Sequence, residues 1–402
     1  MGAWVLKWRY RYTILALCST VFAFYHGARQ VLPPALPLMK DQLGLNYAQS
    51  GFLGAAYDIG YGTTLIAAGF LADRTRKVPM IFIGLLLLSA SLILTTFSNS
   101  FESIAAARIL SGASFGAYFG AGISIVSWYF PVEERGKALG IHMGFGAGSG
   151  KLFVPLLAGL LLPSLGWHPL YFALGLPVLL IALIFWRVVK EPEITAHATM
   201  PFSAIFREVF FNRIFIVLGL CKALTVSASM SLYSFLPLYL VKVMGIDLSY
   251  GGFAVAFLNG ISIPVVPMAG ALSDKFGRKG MIVTISALSA VALAVFPMLS
   301  GEVQVFLGVL MMGLTIGTAF PIIVSYVVDE APSSCRSLAL GYTNTFAIIG
   351  GSGATIASGY VSDAFGVQRV FPFLAVLSVV AALLALVATR SRTVEVIEQA
   401  RS

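Results

Sequence analysis

Twelve predominantly apolar segments divide the chain, and each is long enough to cross a lipid bilayer as a helix. A hydrocarbon core about 30 Å thick needs about 20 helical residues, because an α-helix rises about 1.5 Å per residue. Backbone groups in lipid must also be hydrogen-bonded within the segment, which excludes irregular spans. The sequence therefore predicts an all-α membrane protein with twelve transmembrane helices, at 13–38, 46–71, 78–97, 102–129, 138–161, 171–189, 214–240, 249–272, 281–300, 303–328, 338–359 and 370–389.

The amino-acid composition also favours a lipid environment. Of the 402 residues, 58% are hydrophobic and only 11% are charged, whereas a soluble globular domain carries about 25% charged residues. So few charges cannot cover a water-exposed surface. The three cysteines, Cys18, Cys221 and Cys335, are far apart in sequence and indicate neither a disulfide framework nor a metal cluster.

The net charge of +9 is concentrated on one side of the predicted helices. Nineteen of the 26 Lys and Arg residues fall at the termini or after even-numbered helices, while the opposite loops hold only Lys40, Lys242 and Arg369. Loops rich in Lys and Arg stay in the cytoplasm, so both termini are predicted to be cytoplasmic, in the plasma membrane of a bacterium or archaeon. The basic charge is thus a topology signal, and nucleic acid is not expected as a partner.

A shift of 201 residues superposes the two halves of the chain without a gap over about a hundred residues. Coincident pairs are Gly44 with Gly245, Gly69 with Gly270, Asp73 with Asp274, Gly112 with Gly313, Arg135 with Arg336, and Gly140 with Gly341. Parallel repeats of this kind are typical of secondary transporters. We predict two pseudo-symmetric six-helix halves, 1–190 and 214–402, joined by a cytoplasmic linker over 191–213, with a site at the membrane midplane between the halves.

Two paired motifs connect this repeat to a known family. The stretch GALSDKFGRK at 270–279 follows predicted helix 8, and GFLADRTRK at 69–77 follows helix 2. Helix 4 carries Arg108 with Gly112 in RILSGASFG. With these motifs the chain resembles the major facilitator superfamily over essentially its whole length, although Arg76 stands where the second Gly is usual.

The resemblance implies solute transport by alternating access, without enzymatic activity or a cofactor. At the paired loops we predict conformational gating by Asp73, Arg74, Asp274 and Arg278. A phosphate loop is excluded in GFGAGSGK, because Phe145 replaces the required Gly. The histidines His26, His142, His168 and His197 are scattered over different elements, so no metal site is expected. The glycines at 140, 144 and 148 are predicted to form a smooth face for helix packing.

Helix 1 refines the resemblance. The stretch YHGARQVLPPALPLMKDQLGLN resembles the anion:cation symporter branch, with Arg29, Leu32, Ala35 and Pro37 at the branch spacing and Ala28 in place of its Asp. In that branch the arginines of helices 1 and 4 are associated with anion binding and coupling. The resemblance therefore implies such roles for Arg29 and Arg108. Independently, the adjacent prolines 33 and 34 should kink the outer end of helix 1.

Ionisable side chains inside the predicted helices are the main site candidates, because each costs about 2.5–3.5 kcal/mol to insert. A single carboxylate, Asp58, accompanies four cations, and the surplus positive charge in a low-dielectric cavity should attract anions. The predicted substrate-binding residues are Arg29, Lys151, His26, Tyr25, Lys222, Tyr233, Asn259 and Asn344, and the predicted coupling residues are Asp58 and Arg108.

Alternative roles remain for several of these residues. Arg108 is equally compatible with a structural charge tied to a neighbouring helix, and Lys222 with an ammonium that snorkels to the cytoplasmic side. His26 is either a proton site or a polar lining residue. Asp58 is either a protonation switch or a fixed ion-pair partner, and the 201-residue shift places it on Asn259.

The sequence favours a secondary active transporter that moves a small organic anion, a carboxylate, by proton symport. It is expected to work as a monomer in the bilayer, with the anion and a proton as its partners. The alternatives are organic-anion exchange and proton-driven export of drugs or metabolites. The helix 5 stretch GIHMGFGAGSGKLFVP lacks the Gly-Pro pair of the family's antiporters, which disfavours export.

Overall fold

The computed structural model of the protein describes residues 2–191, 209–331 and 336–388. Helices make up nearly all of this part of the chain, and it contains no β-strand. The α-helices are α1 (Gly2–Gln30), α2 (Leu32–Leu43), α3 (Tyr47–Arg74), α4 (Lys77–Thr96), α5 (Phe101–Tyr129), α6 (Val132–Gly140), α7 (Ala147–Leu165), α8 (Trp167–Val188), α9 (Arg213–Lys242), α10 (Leu248–Phe276), α11 (Arg278–Val295), α12 (Glu302–Thr315), α13 (Ala319–Glu330), α14 (Arg336–Phe365) and α15 (Val370–Val387).

Every predicted span coincides with one of these helices or with two joined end to end. Within the described ranges, nine helical segments are long and apolar enough to cross a membrane. The other three predicted spans correspond to α1 with α2, to α3, and to α14. Polar and charged side chains of α1 and α3, treated below, belong to the candidate site.

Three of the predicted continuous spans are interrupted. The first breaks at Val31, between α1 and α2. Pro33 and Pro34 follow the break and have no N–H to donate to the carbonyls of Arg29 and Gln30, so the predicted kink is present. The tenth span breaks between α12 and α13, where Gly317 has a φ of +86°, a conformation that side chains other than glycine rarely adopt.

The fifth span contains a π-helical turn, Ile141–Gly146, between α6 and α7. Its hydrogen bonds run from residue i to i+5, which widens the turn and shifts the register of the residues that follow. His142 and Gly146 lie on the buried side of this turn. Such turns are often found at functional sites, and this one places His142 next to α1.

α3 and α5 approach each other through glycines that leave no room for a side chain. A Cβ atom at Gly112 would lie 1.7 Å from the carbonyl oxygen of Tyr57, and one at Gly60 would lie 2.0 Å from that of Ile109. One turn further along, a Cβ at Gly116 would lie 2.2 Å from the Thr64 hydroxyl. Close backbone approach of this kind is the usual basis of helix association in lipid, and it fixes α3 against α5 near Asp58.

α1 and α7 also pack through glycines, but not through the predicted ones. A Cβ at Gly150 would lie 2.0 Å from the carbonyl oxygen of Ala23, and one at Gly146 would lie 2.8 Å from that of Ser19. By contrast, no heavy atom of the described residues lies within 4 Å of a Cβ built at Gly140 or Gly144. The predicted packing face at those two positions is therefore wrong, because Gly146 and Gly150 lie on the side that contacts α1 and positions 140 and 144 lie on the opposite side.

The described residues form two compact units. The first unit contains α1 to α8 together with Leu236–Gly260, and the second contains 209–235 and the described residues from Ile261 onward. Most of the predicted linker over 191–213 lies outside the described residues. One exception, Glu191, caps α4: its carboxylate accepts hydrogen bonds from the backbone N–H groups of Lys77, at 2.7 Å, and Val78, at 3.3 Å.

Candidate functional site

A buried ion pair joins α1 to α3 in the first unit. Nη2 of Arg29 lies 2.9 Å from Oδ1 of Asp58 and 3.0 Å from Oδ2. The Asp58 side chain is 6% exposed and that of Arg29 is 27% exposed. In the described part of the chain the other guanidinium nitrogens of Arg29 make no hydrogen bond. Arg29 therefore neutralises Asp58 with one nitrogen and keeps N–H donors for a further anionic group.

Arg108, on α5, is committed to backbone carbonyl groups. Its Nε donates to the carbonyl of Leu53 at 3.3 Å and its Nη1 to that of Ala28 at 3.0 Å. The guanidinium also lies 5.4 Å from the centroid of the Tyr57 ring. Arg108 thus ties α5 to both α1 and α3, as the structural alternative for this residue requires. It also interacts electrostatically with Asp58, so a role in coupling stays a prediction.

Lys151, on α7, lies on the side of the helix that faces away from lipid. Phe153 and Leu160, the two most exposed apolar side chains of α7, fall on the opposite side of the helix from it, given 3.6 residues per turn. It is half-buried and lies within electrostatic range of Arg29 and His26. Within the described residues its ammonium group has neither a hydrogen bond nor an ion pair.

Two histidine rings, those of His26 and His142, both contact the ring of Phe22. The ring centroid of His26, on α1, is 4.7 Å from the ring centroid of Phe22. The ring centroid of His142, in the π turn, is 4.8 Å from the same Phe22 centroid. His142 is 0% exposed. In the described part of the molecule, Nδ1 of His26 and both ring nitrogens of His142 lack a hydrogen-bond partner.

The structure brings together two of the histidines that the sequence analysis places on different elements. His26 and His142 are 116 positions apart, and the two rings interact electrostatically. Nothing in the spacing of the sequence connects them, because their proximity depends on how α1 packs against the π turn. The available signal was His142 itself, a polar ring within an apolar predicted helix.

Tyr25 lies in the packing core of the first unit. Its ring is 0% exposed and stacks between the rings of Phe115 and Tyr118, with a centroid separation of 5.1 Å on each side. Its carbonyl oxygen accepts a hydrogen bond from the Tyr57 hydroxyl at 2.9 Å. In this conformation the Tyr25 side chain supports the position of α1, and it has no surface that a solute can reach.

In the second unit, Lys222 and Asn344 are brought together from α9 and α14. Nζ of Lys222 donates to Oδ1 of Asn344 at 2.6 Å and lies 4.9 Å from the ring centroid of Phe320. Lys222 is 0% exposed, so it does not snorkel. No carboxylate in the described residues lies within ion-pair distance of it. Its positive charge is supported only by an amide oxygen and an aromatic face.

Replacing Asn344 by Leu is expected to lower the thermal unfolding midpoint of the purified protein, because it removes the acceptor of a fully buried ammonium. A hydrogen bond to a charged group contributes about 1.5–3 kcal/mol. Adding Lys222→Met should restore most of the loss, and Thr345→Val, on an exposed neighbour, should have little effect. An Asn344→Leu midpoint equal to that of Thr345→Val would show that the contact is not significant.

The two remaining predicted lining residues are less informative. Nδ2 of Asn259 donates to the carbonyl of Val255 at 2.9 Å, one turn earlier in α10, and the residue is 3% exposed. Tyr233 is half-buried on α9. Both stay predictions as substrate contacts.

The predicted gating motif of the second unit forms a charged cluster around Arg278. Its Nη2 lies 2.6 Å from Oδ1 of Asp274, its Nε lies 3.0 Å from Oδ2 of Asp329, and its Nη1 donates to the Ser273 hydroxyl at 2.6 Å. Asp329, the penultimate residue of α13, is a partner that the sequence analysis did not identify. Of the first copy, Asp73 and Arg74 are the last two residues of α3, and their side chains lie outside the described part.

The chain belongs to the major facilitator superfamily, whose family model matches residues 18–354 and 263–401. A solved structure of a bacterial homolog to the human lysosomal transporter Spinster, inward-facing and unoccupied, superposes on it with a TM-score of 0.85. The identity is 19%, and the match covers 94% of this chain and 97% of that one. The predicted fold class, twelve transmembrane helices in two pseudo-symmetric six-helix halves, is confirmed, and the protein is a multi-pass membrane transporter and not an enzyme.

Curated relatives differ in the solutes that their names state. The multidrug resistance protein MdtG of Yersinia enterocolitica is 24% identical over 357 residues, covering 86% of this chain and 85% of its own. The cis,cis-muconate transport protein of Acinetobacter baylyi is 21% identical over 350 residues, with 83% of each chain covered. Relatives this distant support transport in general, and the solute has to be argued from the site.

Proposed function

We propose that the protein is a secondary active transporter of a small organic anion, a carboxylate, that enters with a proton. The observation that carries this proposal is Lys151, a half-buried ammonium on the face of α7 away from lipid, with no partner in the described ranges. An unpaired cation at membrane depth is costly unless a counter-ion occupies the site for part of the cycle. An anionic solute supplies that counter-ion.

Charge distribution in the first unit supports the same solute class. Arg29 is paired with Asp58 and Arg108 with carbonyl groups, so of these three cations only Lys151 lacks a partner. In a low-dielectric environment the net positive charge favours anions and repels organic cations. A carboxylate between Lys151 and Arg29 would receive a point charge from the ammonium and hydrogen bonds from the free guanidinium nitrogens.

Proton coupling follows from the competition between this anion and Asp58 for Arg29. When the substrate carboxylate binds Arg29, the Asp58–Arg29 contact weakens, and a buried carboxylate that loses its counter-ion is expected to take up a proton. Anion and proton then bind together. Both termini are assigned to the cytoplasm from the distribution of Lys and Arg, and the expected location is the cytoplasmic membrane of a bacterium or archaeon.

Lys151→Met is expected to reduce the uptake of radiolabelled carboxylates into proteoliposomes at least tenfold, because it removes the unpaired positive charge. Such a loss corresponds to about 1.4 kcal/mol or more. The panel of acids should include cis,cis-muconate and benzoate. The medium outside the proteoliposomes should be more acidic than the lumen, so that protons are driven inward. Lys151→Arg should retain part of the activity, and Lys275→Met, at an exposed lysine of α10, should behave as wild type.

The rival functions give different outcomes in the same assay. Expulsion of a lipophilic cation, with no accumulation of any carboxylate, would replace the proposal with proton-driven export, which the likeness to the multidrug resistance protein favours. Carboxylate movement that requires a carboxylate on the other side, and that ignores the pH gradient, would indicate exchange. Uptake unchanged in Lys151→Met would remove Lys151 from the binding site.

A further inference from the structure

The first unit contains a buried imidazole that the proposed mechanism leaves without a role. His142 lies in the π turn, is 0% exposed, and has no partner for either ring nitrogen in the described residues. A neutral imidazole carries one N–H donor and one acceptor. Each unpaired buried polar group costs about 1–3 kcal/mol, so an arrangement like this one requires an explanation.

We propose that His142 and His26, whose imidazoles both contact Phe22, form a second proton-binding site, distinct from Asp58, that holds one proton at a time. Each ring contacts Phe22, with centroid distances of 4.7 and 4.8 Å, so the two imidazoles lie at most about 9.5 Å apart. A positive charge on one ring therefore opposes a positive charge on the other.

Four elements contribute the titratable and charged groups around this pair. Arg29 belongs to α1 and is neutralised by Asp58 of α3, Lys151 belongs to α7, and Tyr118 belongs to α5. The Tyr118 hydroxyl donates to the carbonyl of Cys18 at 2.8 Å, so it is committed to α1. The Lys151 ammonium and the Arg29 guanidinium both oppose a positive charge on His26.

Because Lys151 and Arg29 lie near the histidine pair, a bound substrate anion is expected to favour proton binding at the pair. A carboxylate bound at Lys151 and Arg29 would offset the two charges that oppose protonation of His26. By linkage, a proton on the pair would strengthen anion binding by the same factor. This coupling rests on the proposed function, whereas the existence of the proton site does not.

The position of His142 on its helix explains how the site is built. His142 lies one turn before Gly146 and two turns before Gly150, the glycines that contact α1, so it faces α1 as they do. Its ring packs against Phe22 and lies 6.2 Å from the ring of Tyr118. The immediate ring contacts are aromatic and apolar, which holds the imidazole in place and leaves its nitrogens free to exchange a proton.

The decisive measurement is the titration of the histidine rings by NMR, with ¹⁵N-histidine-labelled protein in lipid nanodiscs between pH 4 and 8. Signals lost in His142→Gln and in His26→Gln assign the two rings. In wild type one of the two rings, and not both, is expected to become charged over this range. In His142→Gln, the midpoint of His26 should rise by about one pH unit, the size expected for the removal of a unit charge at most about 9.5 Å away.

His168→Gln is the matched control, because His168 stacks on Trp167 at 3.6 Å, on α8, away from the pair. It should leave both midpoints unchanged. Wild type in which both rings or neither become charged, or a His26 midpoint that is the same in wild type and His142→Gln, would overturn the shared proton site. In liposomes that transport a carboxylate, His142→Gln should also lose at least half of its proton-driven accumulation, with exchange retained. If the wild-type protein transports no carboxylate, the proposed function is wrong. The NMR titration tests the proton site independently of that result.

Discussion

Asp58→Asn is expected to abolish proton-driven accumulation of the substrate while leaving its exchange across the membrane intact. Asparagine keeps the size of the side chain and an oxygen that can accept from Arg29, but it cannot take up or release a proton in this range. It also reproduces the residue that the internal repeat places at the equivalent position, Asn259. Counterflow and pH-driven uptake, measured in the same proteoliposomes, separate the two activities.

Arg29→Ala should have a different signature, because it leaves the Asp58 carboxylate buried without its counter-ion. Breaking a buried ion pair costs about 3–5 kcal/mol. The expected loss here is about 2–3 kcal/mol, since the Arg29 side chain is 27% exposed. Thermal unfolding should show the loss of stability, and the Arg29→Ala/Asp58→Asn double variant should recover most of that stability without recovering transport.

Proton-driven accumulation that is unchanged in Asp58→Asn would identify Asp58 as a fixed ion-pair partner and not a coupling residue.

Gly112→Ala is expected to yield little folded protein. The added Cβ would lie 1.7 Å from a backbone oxygen on α3, and no rotamer change relieves a clash with backbone. Separating α3 from α5 would also disturb Asp58 and the contact of Arg108 with Leu53. Overpacking costs about 1–3 kcal/mol and occasionally more, and backbone contact this close favours the upper end.

Gly120→Ala provides the matched control on the same helix. No described heavy atom lies within 4 Å of a Cβ at Gly120, and alanine is the better helix former. The yield of monodisperse protein and its unfolding midpoint should therefore be preserved or improved in Gly120→Ala and reduced in Gly112→Ala. Equal behaviour of the two variants would contradict the close packing of α3 on α5.

The helices and their number follow from the sequence because lipid leaves few options. A long apolar run in a membrane must be helical. Pro33 and Pro34 predict where the first helix is interrupted, because they lack the N–H group that a helix needs. The π turn left no comparable signal. It depends on the fit of Gly146 and Gly150 against α1, and apolar periodicity does not distinguish it from a regular turn. Whether the glycines at 140, 144 and 148 or those at 146 and 150 contact α1 depends on the rotation of the helix, which the sequence does not specify.

The candidate site was predictable in its charges but not in its pairings. Asp58, Arg29 and Lys151 stand out because each is costly in an apolar segment. Which cation pairs with the carboxylate depends on the relative rotation of α1 and α3, and the packing of α3 on α5 and of α1 on α7 sets this rotation. The approach of His26 and His142 to Phe22, and the contact between Lys222 and Asn344, join elements more than a hundred residues apart, and a single sequence does not specify such pairings.

The break at Gly317 has a mechanical consequence. Under the internal repeat its counterpart is Gly116, which lies within the uninterrupted helix α5 and packs against Thr64. Gly116 thus lies within a continuous helix of the first unit, whereas Gly317 separates α12 from α13 in the second. Beside Gly317 is a small cavity whose walls include the hydroxyl-bearing residues Thr225, Ser286, Ser289 and Ser378. The α12–α13 pair can therefore bend at a position where α5 cannot.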